Sequence, residues 1–305
     1  MSRTPVIIDT DPGIDDAAAI CCALFSPELD VRLITTVAGN VGVEATTTNA
    51  LKLLTFLGKR VPVAKGAEGP LAGGHAAVRG FHGSTGLDGW DFDEPNVSLL
   101  LSESAEAAMY HVICSSEGPI TLVTLAPLTN VGRLFFNHPE VVGRIKRIVC
   151  MGGPGLGADA ASITEFNIST DPEAANIVFS SGVPLAMAGL DMGWAASFTQ
   201  ADLEQLCALN QSGAMLSSIL HQYRSRSRGR LSGVATYDVH AVACLLKPEL
   251  YECQPCHVSA GVERAERGRL TAASTGEDEA NAFVCTSVNA EGFKEWFFST
   301  IYRCP

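Results

Sequence analysis

Four carboxylates fall within one short stretch near the start of the chain, Asp9-Thr10-Asp11-Pro12-Gly13-Ile14-Asp15-Asp16. Asp9 and Asp11 lie two apart, so they share a face if an extended strand continues through them. Pro12 and Gly13 then force a turn. Asp15 and Asp16 open a helix, where the macrodipole favours negative charge. Carboxylates this close repel one another unless something positive sits among them, and a hard divalent cation with oxygen ligands answers that need. A helix cap in a solvated acidic turn accounts for Asp15, but not for Asp9 and Asp11 at the end of a buried strand.

The elements that position these residues read as alternating strands and helices. Pro5–Asp9, Val31–Val37, Val61–Ala64, Ile120–Thr124, Ile145–Met151 and Pro184–Ala188 are continuous apolar runs, as parallel strands covered on both faces require. Helices are expected over Asp15–Phe25, Glu44–Leu57, Leu128–Phe136 and Pro172–Ser180. The last has Asp171 as its cap, Pro172 at its first position and Gly182 just past its end. Thr199 to Leu246 reads as mostly helical. Short strands follow at His257–Ala260 and Phe283–Val288, then an amphipathic helix over Glu291–Tyr302. The expected fold is α/β, a single domain spanning 1–305, with a mainly parallel central sheet flanked by helices and a helical region near the mouth of the site. Ligands in such sheets sit beyond the carboxyl ends of the strands.

Composition narrows the function classes. The chain has 305 residues, of which 47% are hydrophobic, enough for a large core. A formal net charge of −12 repels nucleic acid and anionic membrane, so neither is an expected partner. Ten scattered cysteines, several in apolar runs, point to a reducing compartment rather than a disulfide framework. The segment MSRTPVIIDTD has no long apolar stretch before its acids, and no run approaches membrane-spanning length. The expected location is cytoplasmic. Cys253-Gln-Pro-Cys256-His257 resembles a fragment of a zinc or redox motif, but no second such pair accompanies it.

Two motif readings of the acidic cluster fail. Counted from Asp9, an EF-hand loop needs Gly and Glu where this chain has Ile14 and Ile20. A phosphatase of the haloacid dehalogenase type starts with Asp-x-Asp, but Pro12-Gly13 and the Asp15-Asp16 pair depart from it. Instead DTDPGIDDA at Asp9–Ala17 resembles the signature of the inosine–uridine-preferring nucleoside hydrolases. The likeness continues in order through TTVAGN at Thr35–Asn40, HGSTGLDG at His82–Gly89 and APLTN at Ala126–Asn130. It then runs through MGG at Met151–Gly153, EFNISTDPEAA at Glu165–Ala175, GLD at Gly189–Asp191 and the region Tyr237–Leu250. The chain looks most similar to bacterial ribonucleoside hydrolases of broad base specificity.

The resemblance implies a calcium-dependent hydrolase that cleaves the N-glycosidic bond of ribonucleosides to ribose and free base with inversion. Asp11 matches the base that takes a proton from a metal-bound water. Asp11, Asp16, the main-chain carbonyl of Leu125 and Asp238 match the Ca2+ ligands. Asp15 and Asn40 match ribose and site-shaping positions, Glu165 and Asn167 hold sugar hydroxyls, and Met151, Phe166 and His82 line the pocket, with His82 also a catalytic candidate. Asp238 also counts among the substrate-binding positions. A homo-oligomer, dimer or tetramer, is implied as well.

Two residues depart from the family pattern. Tyr237 stands where a histidine that protonates the leaving base is usual, and a phenol is a poorer acid at neutral pH. Asp159 stands near the ribose where Asn is usual and cannot donate a hydrogen bond when ionised. They motivate an alternative, a nucleoside- or ribose-binding relative with weak or lost turnover. His240 could substitute for the missing histidine but reads better as a packing residue. Arg224, Arg226, Arg228 and Arg230 read as a solvated loop or helix end, which near the pocket mouth could attract an anionic group such as a nucleoside phosphate.

Overall fold

The computed structural model describes residues 3–74, 82–156, 164–226 (backbone alone for 224–226) and 233–305. Its strands are β1 Thr4–Thr10, β2 Leu29–Thr36, β3 Val63–Lys65, β4 Ile120–Thr124, β5 Ile145–Met151, β6 Leu185–Ala188, β7 Tyr251–Ala260, β8 Leu270–Ser274 and β9 Ala282–Val288. They form one sheet in the order β3-β2-β1-β4-β5-β6-β9-β7-β8. From β3 to β9 every neighbouring pair is parallel, while β7 runs antiparallel to both β9 and β8. Strand order reverses between β1 and β4, which opens a crevice beyond their carboxyl ends.

The helices are α1 Ile14–Phe25, α2 Val43–Phe56, α3 Ala105–Ser115, α4 Thr129–Asn137, α5 Phe166–Thr170, α6 Pro172–Phe179, α7 Leu190–Ala195, α8 Gln200–Cys207, α9 Gln211–Arg226, α10 Asp238–Leu246 and α11 Ala290–Ile301. They cover both faces of the sheet. Val6 and Ile8 of β1 point into a core shared with α1, α9, α10 and α11. Ile7, one residue out of phase, points into the opposite core with α3, α4 and α6. Helix α1 is buried nearly all round, and Ala17, Ala18, Ala19 and Cys21 keep it narrow enough to sit between the sheet and its helical neighbours.

The expected central strands and principal helices are present, with ends shifted by a few residues. The expected cap of α6 is also present, Asp171 Oδ1 accepting from Ala174 N at 3.0 Å. The other oxygen of Asp171 accepts from Leu71 N and Thr129 Oγ1, so this cap also ties two loops together. The antiparallel edge differs from the sequence reading. β7 begins at Tyr251 rather than His257, and β8 has no counterpart among the expected strands. β8 buries none of its residues, β7 alternates between exposed and buried only toward its end, and Pro255 within β7 weakens the strand pattern.

One side chain locks the crevice. Asn130, in the first turn of α4, donates Nδ2 to Asp9 Oδ1 at 2.8 Å and to the Thr36 carbonyl at 3.0 Å, and accepts from Ala67 N at 3.0 Å. Gly66 makes this possible, because a Cβ there would lie 2.3 Å from Asn130 Oδ1. Replacing Asn130 by Ala strips partners from a buried carboxylate and a buried amide. The expected loss is about 3 kcal/mol in urea unfolding. A loss below about 1 kcal/mol would show that β1, the strand ends and α4 do not depend on this bridge.

Candidate active site

The crevice is lined first by the β1–α1 turn. Asp16, third in α1, caps its own helix by accepting from Gly13 N at 2.9 Å, and its other oxygen accepts from Thr10 Oγ1. Asn40, after β2, reaches across with its backbone amide to Asp11 Oδ2 at 2.6 Å. Its Nδ2 donates to the Asp11 carbonyl and to Asp16 Oδ2, at 3.2 and 3.1 Å. The close approach requires glycines. A Cβ on Gly39 would fall 2.0 Å from Asp11 Oδ2, and one on Gly13 would fall 2.5 Å from His82 Nδ1.

The opposite wall is the start of α10, where Asp238 is the first residue. Tyr237 N donates to Asp15 Oδ2 at 3.3 Å. Carboxylate oxygens of Asp15, Asp16 and Asp238 all lie within 4.8 Å of one another. Asp11 lies outside that tight group, yet its Oδ1 is buried with no hydrogen-bond partner. Burial is the main cause that lifts each carboxyl group. Asp15 is pushed up to about 6. Asp11 and Asp238 are pushed well above the usual range, by burial and then by the neighbouring aspartates. Asp16 rises by burial and then by Asp15, against the hydrogen bonds from Thr10 and Gly13. Among the described residues no lysine or arginine forms an ion pair with these four.

A hard cation fits this donor set. Oxygens bound at 2.3–2.6 Å to one ion lie at most about 5 Å apart, and the mutual spacing of the three carboxylates meets that limit. The unpartnered Asp11 Oδ1 supplies a further anionic oxygen at the edge of the cluster. Asp9 plays a different part from the one its spacing suggested. Thr35 Oγ1 and Asn130 Nδ2 hold its Oδ1 at 2.6 and 2.8 Å, so it serves as a buried anchor for β2 and α4.

The remaining candidates surround the crevice. Asn167 Nδ2 donates to the Leu125 carbonyl at 3.0 Å and touches the carbonyl and sulfur of Met151. Both oxygens of Glu165 accept backbone amides, from Asn167, Ile168 and Gly153, so Glu165 shapes the start of α5. Phe166 is partly buried at that start. His82 Nδ1 accepts from Ile14 N at 3.0 Å, and its ring lies 5.3 Å from that of Tyr223. The Tyr237 hydroxyl accepts from Trp194 Nε1 at 3.1 Å and also meets the Tyr223 hydroxyl, while burial raises its pKa. His240 faces the core instead. It stacks on Phe293 at 4.1 Å and meets the Tyr251 hydroxyl, and burial holds it down at about 3. Asp159, Arg228, Arg230 and the side chains of Arg224 and Arg226 lie outside the described residues. Sequence reasoning missed Thr10, Thr35, Asn130, Trp194 and Tyr223. Thr10, Thr35 and Asn130 lie within the segments DTDPGIDDA, TTVAGN and APLTN, which was the signal available for them; Trp194 and Tyr223 had none.

Comparison with known proteins agrees with this geometry. The family model for inosine-uridine preferring nucleoside hydrolases matches residues 6–295. The non-specific ribonucleoside hydrolase RihC of Klebsiella pneumoniae subsp. pneumoniae is 43% identical, over 99% of this chain and all of that protein. Its counterpart from Salmonella newport is 42% identical over 98% of each. The solved structure of a purine-preferring ribonucleoside hydrolase from Gardnerella vaginalis superposes with a TM-score of 0.89 at 30% identity, covering 98% of both chains.

The raised carboxyl groups set a pH dependence. An aspartate at about 6 in the folded chain but near 3.8 when unfolded binds its proton more tightly in the fold. The cation-free protein is therefore most stable at the acid side of that window and loses stability as pH rises from about 4 through 6. A cation needs the charged carboxylates, so its stabilising effect grows over the same range. The expected result is that the melting-temperature gain on adding a divalent cation widens between pH 5 and pH 8. A gain independent of pH would place any bound cation away from these aspartates.

Proposed function

The chain belongs to the inosine-uridine preferring nucleoside hydrolase family, and from that premise we propose that it hydrolyses the N-glycosidic bond of ribonucleosides at the β1/β4 crevice, releasing ribose and free base. The observation that carries this reading is the buried aspartate cluster at the strand-order reversal, with Asp11 Oδ1 unpartnered. We propose Ca2+ as the cofactor, because the cluster offers hard oxygen donors and the family resemblance implies calcium. Asp11, Asp16, Asp238 and the Leu125 carbonyl would hold it, and Asp15 is close enough to join them. Bound there, the cation would lower the pKa of a coordinated water and help anchor ribose hydroxyls.

The chain's own residues do the rest. Asp11 takes the proton of the attacking water, and its burial favours the protonated form that results. Asn40 holds Asp11 in place through a backbone hydrogen bond. Asp15 and Asn167 are within the crevice to orient the sugar, which places the anomeric carbon for attack. Water arriving opposite the departing base inverts that centre. Tyr237 faces the leaving base as a hydrogen-bond donor rather than an acid. Its oxygen takes the Trp194 N–H, and burial keeps its own proton in place. His82, with Nδ1 engaged by Ile14 N, carries any neutral-form proton on Nε2.

The binding-only alternative is not favoured, because the relatives at 42–43% identity over the whole chain are named as hydrolases. Ten free cysteines support placing the protein in the cytoplasm. Among the described residues no helix is long and apolar enough to cross a membrane. The dimer or tetramer implied by the resemblance belongs to the same proposal, and sedimentation reads it directly.

Incubation with inosine, adenosine, uridine and cytidine, followed by a reducing-sugar assay, tests the hydrolase. Ribose release that stops on chelation and returns with Ca2+ is expected. Asp11→Asn should lower kcat by about 10²–10⁴-fold with the fold intact. Ribose binding without release from any nucleoside would favour the binding-only relative. For Tyr237→Phe, a fall in the rate with inosine relative to uridine is expected. An unchanged ratio would remove Tyr237 from leaving-group recognition.

A further inference from the structure

Away from the aspartates, three cysteines converge at the antiparallel edge of the sheet. Cys253 in β7 and Cys285 in β9 are direct cross-strand partners, with sulfurs 3.2 Å apart. Cys244, near the end of α10, brings its sulfur to 3.8 Å from that of Cys285. All three sulfurs lie within 4.8 Å of one another. Cys285 and Cys244 are buried, whereas Cys253 is exposed, so the group opens to solvent on one side.

Three sulfurs at about 2.3 Å from one tetrahedral ion stand about 3.8 Å apart, which the observed spacings bracket. We propose that Cys244, Cys253 and Cys285 form a binding site for a thiophilic divalent cation of the zinc type, with its fourth position open to solvent beside Cys253. The donor set is soft, so it does not compete with the aspartates for a hard cation. Hydrogen bonds with Cys244 and then Cys285 push the Cys253 thiol down from its ordinary value. Cys244 is pushed up to about 12, first by its hydrogen bond with Cys253, with Arg147 acting weakly in the opposite direction. Binding displaces the thiol protons of the three cysteines into solvent, leaving three thiolates around the dication.

The sequence spacing pointed elsewhere. Cys256, the partner of Cys253 in the Cys-x-x-Cys stretch, is buried in the core on the opposite face, where its sulfur meets Gln254. The three-thiol group is assembled by strand pairing and by α10 instead. Cys244 stands six residues after Asp238 on the same helix, about 9 Å along its axis. A cation held by the thiols would therefore pin to the sheet the far end of the helix that presents Asp238.

The test uses the reduced, chelator-treated full chain titrated with Cd2+, following the ultraviolet thiolate-to-metal charge-transfer band, with Zn2+ stoichiometry read by native mass spectrometry. One equivalent is expected. Affinity should fall at least tenfold in Cys253→Ser and Cys244→Ser, and stay unchanged in Cys207→Ser and Cys114→Ser, which alter exposed cysteines outside the group. Zn2+ should also protect Cys253 of the unaltered protein from alkylation, a readout that does not depend on any variant folding. No band from the folded, reduced protein, a band unchanged in Cys253→Ser, or alkylation of Cys253 unaffected by Zn2+ would overturn the proposal. So would a Cys253–Cys285 disulfide whose reduction leaves a protein that takes up no metal.

Discussion

Asp11, Asp15, Asp16 and Asp238 are carried into an interior that penalises charge, and they face one another there without an ion pair to lysine or arginine among the described residues. The rest of the site is organised around that repulsion. Each carboxylate is given a partial remedy. Thr10 and Gly13 hold Asp16, Asn40 holds Asp11, and the Tyr237 amide holds Asp15. These bonds are too few to neutralise the cluster, so the carboxyl groups remain displaced upward. The charged form is favoured when positive charge enters, which a hard cation fitting this donor set would supply.

Two helix ends supply part of that positive potential. α1 and α10 pack against each other, and each places aspartates in its first turn. Their N-terminal amides and dipoles face the crevice, where they favour anionic groups. Close packing is needed for the two ends to meet, and the alanines and cysteines of α1 permit it. The reversal of strand order at β1 and β4 leaves the gap into which both ends project. Thus the core of small side chains, the sheet order and the chemistry are one arrangement rather than three.

Helix α10 connects different kinds of chemistry. Its first turn gives Asp238 and the Tyr237 wall, its middle buries His240 against Phe293, and its last turn gives Cys244 to the thiol group. Oxygen donors gather at one end and sulfur donors at the other. His240 is a neutral packing residue between them. The Tyr237 hydroxyl, buried in the wall of the crevice and bonded to Trp194, keeps its proton.

Local pattern along the chain makes much of this legible. Apolar runs mark the buried parallel strands, Asp171-Pro172 marks the start of α6, and DTDPGIDDA places the carboxylates after β1, because each signal lies within a few adjacent residues. The family resemblance and its matched segments are legible for the same reason. Tertiary structure alone decided which carboxylates meet. It set Asp9 apart as an anchor, joined Asp15 to Asp16 and Asp238, and chose Asn130 as the lock. It also separated Cys253 from Cys256 and brought it to Cys244 and Cys285. These outcomes depend on strand order, cross-strand register and helix docking between distant residues, such as Asp15 and Tyr237, 222 positions apart. No periodicity or spacing along the chain encodes such a contact, because the energy that selects it is released only when distant elements pack.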